Sequence, residues 1–165
     1  MKKLAFFIPI IVFYCLSAQV DVYAIEDSEN EHFEKIEYAQ IDRVEILQKF
    51  FRKYNSPLET SAETFVEVAD KYGLDYRWLP AIAGVESTFA KFYIRENYNP
   101  FGWGGGLIKF ESFDEAIERV GKGLHDGYLA KGADTIDRIA PIYNPPYPQN
   151  WSKNVNYFVN QISEI

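Results

Sequence analysis

A mostly α-helical single domain is what this 165-residue sequence predicts, with a glycine- and aromatic-rich loop inside it and at most a very short β-ribbon. Three observations carry that expectation. Apolar residues recur at helical i, i+3, i+4 spacing in successive stretches, with capping patterns and glycines at their ends. Strand signal is confined to Leu107–Phe110. An apolar fraction of 47% supplies a core, and the length fits one domain.

At the N-terminus, Met1-Lys2-Lys3 gives a positive start and Leu4 to Leu16 is an apolar run broken only by Pro9. Ser17-Ala18 and Val22-Tyr23-Ala24 then supply small residues. This layout predicts a secretory signal peptide over residues 1–24, cut after Ala24 or else after Ala18. The run is shorter than the ~20 apolar residues of a membrane span, and an uncleaved anchor is the alternative. Cys15 lies inside the run without the small residues of a lipoprotein box. The exported chain then holds no cysteine, which excludes disulfides and thiolate metal sites. A secreted or bacterial-envelope location is expected.

Residues 25–45 hold eight acids against Lys35 and Arg43, and read as an acidic linker or a loosely packed first helix. Residues 46–165 carry 13 basic and 15 acidic groups, so the domain proper is nearly neutral. The net charge of −7 argues against a nucleic-acid partner.

Helical spacing from Val44 through Phe51 ends at Tyr54-Asn55-Ser56-Pro57. Thr60-Ser61-Ala62-Glu63 has the form of a capping box, and Gly73 is a stop. A helical stretch begins at Asp75, with a break at Trp78-Leu79-Pro80 and a second piece from Pro80 to Ala90. A loop follows from Tyr93 to Phe110. Ser112-Phe113-Asp114-Glu115 opens a further helix that Gly132 closes. Two more helices are expected, around Thr135–Ile142 and Ser152–Ile162.

One residue stands out on the Pro80 helix. Leu79, Ile82, Ala83, Glu86 and Ala90 share a face, so a lone carboxyl falls on an apolar stripe. A desolvated carboxyl has a raised pKa and can serve as a general acid. The bland alternative is a rim Glu paired with Arg77 or Lys91. Downstream, Asn97-Tyr98-Asn99-Pro100-Phe101-Gly102-Trp103 and the glycines to Gly106 combine backbone freedom with exposed-type aromatics. A second cluster joins Tyr143-Asn144-Pro145-Pro146-Tyr147 to Trp151. Aromatic faces suit sugar rings, and Asn amides suit hydroxyl and acetamido groups.

Other chemistries fail on inventory. His32 and His125 form no HExxH, Ser87 lies in no GxSxG, and Gly102–Gly106 matches neither GxGxxG nor a P-loop. His125 reads as a solvated surface group. No metal or cofactor is expected.

Ala81-Ile82-Ala83-Gly84-Val85-Glu86-Ser87-Thr88-Phe89-Ala90 followed by Asn99-Pro100-Phe101-Gly102 resembles the glucosaminidase domain of glycoside hydrolase family seventy-three. Lys109-Phe110-Glu111-Ser112 looks like that family's Arg-x-Tyr-x-Ser, and Tyr143 is placed like the tyrosine of its Tyr-Ala-Thr segment. The Glu86-Ser87 pair is also similar to lytic transglycosylases. The resemblance covers residues 46–165. It implies a lysozyme-like fold and cleavage of β-1,4 bonds in peptidoglycan glycan strands, without a cofactor and without an expected oligomer.

Carried over, Glu86 is the general acid and Tyr143 borders the cleft as the second catalytic candidate. Ser87, Asn99, Phe101, Gly102 and Asn144 are expected on the substrate side. Stacking chemistry adds Trp103 and Trp151. One departure stands out. Many members place a second acid between the Phe-Gly turn and the next helix, whereas Trp103–Phe110 contains no Asp or Glu. Substrate-assisted hydrolysis and a transglycosylase route forming a 1,6-anhydro ring therefore both stay open. The alternative is a catalytically silent wall-binding module on the same fold.

Overall fold

The computed structural model describes residue 35 and residues 40–165. The chain divides into two compact units, Met1–Ile41 and Asp42–Ile165. Of the first, residues 35, 40 and 41 are described and are helical. The expected signal peptide and most of the acidic segment lie outside the described residues.

Helices are the regular structure of the second unit, and no strand occurs among the described residues. α1 occupies residues 42–53 of this unit. After a 3₁₀ turn at Pro57–Ser61 come α2 (Ala62–Tyr72), α3 (Trp78–Ser87), α4 (Phe113–Gly127), α5 (Ile136–Tyr143) and α6 (Pro148–Ser163). Short 3₁₀ turns at Arg95–Asn97 and Leu129–Lys131 punctuate the connections. The unit begins four residues before the expected 46, at Asp42. Arg43 explains part of this, because its guanidinium grips both Asp70 oxygens at 2.7 and 2.8 Å and lies over the Tyr76 ring.

α2 packs on α4, and α6 packs on both α3 and α5. The α2–α4 approach depends on Gly121, where an added Cβ would lie 2.3 Å from Val68 Cγ1. Phenylalanines fill the centre. Phe50, Phe51, Phe65, Phe89, Phe101 and Phe110 are fully buried, each contributing about 1.5–3 kcal/mol. Phe89 is the hub, with Phe50 edge-on at 5.3 Å and Tyr54 at 4.4 Å.

Several boundaries differ from expectation. The Thr60–Glu63 pattern makes no capping box: Ser61 has no side-chain cap bond, and Thr60 Oγ1 donates to the Pro57 carbonyl of the preceding 3₁₀ turn. Ser56 caps that turn, accepting from Leu58 N–H at 3.0 Å. The Asp75 stretch is a turn, because Asp75 Oδ1 accepts from the Arg77 N–H and binds its guanidinium. Gly127 ends α4, and Gly132 closes the 3₁₀ turn beyond it. α6 starts at Pro148, four residues early. Gly73 stops α2 at φ +63°, and Ser112 caps α4 by accepting from Glu115 N–H at 3.1 Å, both as expected.

The largest departure concerns the end of α3. The helix stops at Ser87, and Thr88, Phe89 and Ala90 are all left-handed, at φ +51°, +59° and +57°. Ser87 organises this reversal. Its hydroxyl donates to Ala83 O at 2.9 Å and accepts from Ala90 N–H at 2.9 Å, while its carbonyl accepts from Lys91 and Phe92. Ser56 secures it from the other side by donating to Phe89 O at 2.9 Å. Ala90 is therefore not a member of the helical stripe.

Candidate active site

α3 is apolar nearly all round, with Leu79 to Gly84 and Ser87 buried. Such a helix belongs in a core, and Glu86 is its one charge, one residue before its end. The expected burial on the stripe needs correction: Glu86 is exposed as a residue. Protein atoms nonetheless crowd its carboxyl, and this desolvation pushes its pKa upward, partly opposed by the Trp151 hydrogen bond. Neither Arg77 nor Lys91 pairs with it. Arg77 is held by Asp75, and Lys91 Nζ donates to the Tyr54 carbonyl at 2.9 Å.

Trp151, in the first turns of α6, donates its indole Nε1–H to Glu86 Oε1 at 2.7 Å. An indole nitrogen can only donate, so Oε1 is committed as an acceptor. A proton on the neutral acid then resides on Oε2. That oxygen faces Gly102, where an added Cβ would come within 3.2 Å of it. Trp151 is 2% exposed and stacks under Tyr143 at 4.7 Å and 26°. It is a buried orienting group, not the exposed sugar platform the sequence suggests.

Tyr143 ends α5 and donates its hydroxyl to the Phe101 carbonyl at 2.8 Å. Burial first, then the Glu86 and Tyr128 charges, raise its pKa well above the ordinary phenol value. The phenol stays protonated with its hydrogen committed, which suits positioning better than proton transfer. Phe101 is fully buried against Phe65, so it anchors the loop and offers a carbonyl while its ring stays in the core.

A cleft of about 340 Å³ abuts Glu86 at Gly102 and is lined by Gly102, Trp103, Gly104, Gly105, Tyr128 and Tyr143. Trp103 lies 5.8 Å from Tyr143 and covers Gly123, where an added Cβ would meet its ring at 2.5 Å. Gly102 takes φ +62°, and Gly106 N–H closes the turn onto Gly102 O at 2.9 Å.

Two buried asparagines shape this loop. Asn97 Nδ2 donates to Gly106 O at 2.7 Å, and its Oδ1 accepts from Asn99 N–H at 3.1 Å. Asn99 Nδ2 donates to Trp103 O at 2.8 Å and Ile108 O at 3.1 Å, and its Oδ1 accepts from Trp103 N–H at 2.9 Å. These bonds, with Phe110 N–H on Asn97 O at 2.8 Å, stand where the short ribbon was expected. Asn99 is thus a strut and not a reader of substrate.

The structure brings together Glu86, Gly102, Trp103, Tyr143 and Trp151. Ser87, 3% exposed with its hydroxyl used in the left-handed turn, is structural. Asn144 caps α5 through its backbone and does not line the cleft. Tyr128 was missed by sequence reasoning, and its only signal was an aromatic just past the glycine ending α4. His125 also differs from a free surface group, since Nδ1 bonds the Tyr72 carbonyl at 3.0 Å.

Among the described residues, no second carboxylate contributes to the Glu86 shift, and no cluster of three His, Cys, Asp or Glu is arranged for a metal. Glu96 and Glu111 are exposed outside the cleft. Compared with known proteins, the chain matches no family model and no curated relative.

Proposed function

We propose that this protein is an exported glycosidase that cleaves β-1,4 bonds of peptidoglycan glycan strands, with Glu86 as general acid. The observation that carries the reading is an accessible carboxyl of raised pKa whose one oxygen is fixed by Trp151 beside an aromatic-walled cleft. The protonated Oε2 delivers its proton to the glycosidic oxygen as that bond breaks. Trp103 and Tyr143 offer flat faces to sugar rings.

With no second carboxylate beside Glu86 among the described residues, the substrate supplies the nucleophile. In one route the acetamido oxygen attacks the anomeric carbon, and Glu86, now a carboxylate, takes a proton from the water that opens the resulting ring. In the other the 6-hydroxyl attacks, and Glu86 removes its proton to leave a 1,6-anhydro sugar. The first route adds one water to the products and the second adds none.

Purified cell walls lose turbidity with the wild type under this proposal, and Glu86→Gln lowers the rate by at least ~10²-fold. Mass spectrometry of the fragments separates the routes by one water per cut. The lack of a second carboxylate beside Glu86 among the described residues favours a different class, a silent wall-binding module. Pelleting with walls at equal strength by both proteins, with no fragments released, selects that class and removes the enzyme assignment.

A further inference from the structure

We propose a second binding site, separate from the Glu86 cleft, that takes an anionic oxygen group (phosphate or carboxylate) carried on a larger organic molecule. It is a cavity of about 460 Å³ lined by Pro57, Ala90, Lys91, Tyr93 and Arg95, and it shares no lining residue with the cleft. The inference does not depend on the glycosidase reading.

The left-handed run Thr88–Ala90 turns the chain sharply after α3, and the five residues that follow alternate in character. Lys91, Tyr93 and Arg95 line the cavity, whereas Phe92 and Ile94 between them do not. Two cations and a phenol share one cavity, and no described carboxylate lines it, in a chain whose net charge is −7.

Neither cation is neutralised by a described residue. Lys91 Nζ spends one hydrogen on the Tyr54 carbonyl, which holds the ammonium in place and leaves two donors. Arg95 makes no ion pair with any described residue, and the Glu96 that follows it does not line the cavity. Burial, chiefly, raises the Tyr93 pKa, so its hydroxyl remains a donor. A guanidinium fork and an ammonium can only donate, and beside them a phenol adds a further O–H, so this donor-rich set matches an oxyanion. The volume exceeds a bare ion's need, since a water claims only about 30 Å³. A sugar or polyol phosphate and a peptide carboxylate share the required chemistry.

The test is an amide-resolved NMR titration of the full chain with glycerol 3-phosphate and, separately, with N-acetylalanine, against sodium chloride at matched ionic strength. Saturable shifts at residues 90–95 are expected with at least one probe. Arg95→Gln, on an exposed side chain, should weaken that probe by about tenfold or more at unchanged melting temperature, while Arg95→Lys recovers part of the loss. Lys91→Met should weaken it independently. Preference for glycerol 3-phosphate identifies phosphate as the ligand group, and preference for N-acetylalanine identifies carboxylate. Shifts equal to those from sodium chloride, or affinity unchanged in Arg95→Gln, overturn the site. Because the readout is binding away from residues 102–105, failure here leaves the glycosidase proposal standing.

Discussion

The indole of Trp151 reaches Glu86 Oε1 from α6 at 2.7 Å, and it makes the only side-chain hydrogen bond to that carboxyl among the described residues. Trp151→Phe keeps an aromatic under Tyr143 and removes the donor. The lost bond favoured the charged carboxyl, so the Glu86 pKa should rise further. Activity that needs protonated Glu86 falls as pH climbs through that pKa. The alkaline limb of the pH–rate profile should therefore move upward while kcat drops by about 10–100-fold, the equivalent of a hydrogen bond to a charged group. A lower kcat with an unmoved limb would assign Trp151 to packing alone.

Glu86 also sets a pH dependence of stability. Its folded-state pKa is raised, so its contribution is fully present below the unfolded carboxyl's pKa and is lost as pH rises through the folded value. Glu86→Gln has no charge to desolvate. Its melting temperature should equal or exceed the wild type's at neutral pH, and the advantage should vanish in acid. Thermal melts across that range check this, and a variant markedly less stable at neutral pH would mark Glu86 as a structural anchor.

Gly102 separates backbone strain from site geometry. Gly102→Ala forces φ +62° on an L-residue at about 1–2 kcal/mol and sets a methyl 3.2 Å from Glu86 Oε2. Gly105→Ala meets comparable strain at φ +70° with nothing within 4 Å. Both should melt earlier by similar amounts, and only Gly102→Ala should lose most of its activity at a temperature where both remain folded. Equal activities would remove Gly102 from the path to Oε2.

Asn99→Ala removes two donated bonds and one accepted bond from a buried site. Each backbone group left unpaired costs about 1–3 kcal/mol. The melting temperature should fall by several degrees, and hydrogen exchange should speed up first at Trp103. Unchanged exchange there would mean that the loop holds its shape without the strut.

Glu86 was legible because a charge is conspicuous on a helix that is apolar on every other side. Tyr143 and Gly102 were legible as neighbours through the family resemblance. The roles of Ser87, Asn99 and Trp151 were not. Their types suit substrate contact and internal bonding equally well, and only tertiary structure decides where a hydroxyl, amide or indole is spent. The end of α3 was hidden for a related reason. Thr88-Phe89-Ala90 carries no glycine, and its left-handed course is imposed by Ser87, Ser56 and the Phe89 ring among distant aromatics. Helix extents erred where a 3₁₀ turn or an Asp side chain took the capping bonds.

The struts on the Gly102–Gly106 segment bear on how a ligand would be received. By composition this is the stretch with the most backbone freedom, and ordering such residues on binding is unfavourable in entropy. Asn97 and Asn99 have already fixed it, using the carbonyls of Trp103, Gly106 and Ile108. Its conformational entropy is therefore surrendered during folding, before any encounter. A guest entering the cleft meets a finished rim, so calorimetry should register an association with little ordering of the protein, and the rim should exchange its amides no faster when empty than when filled.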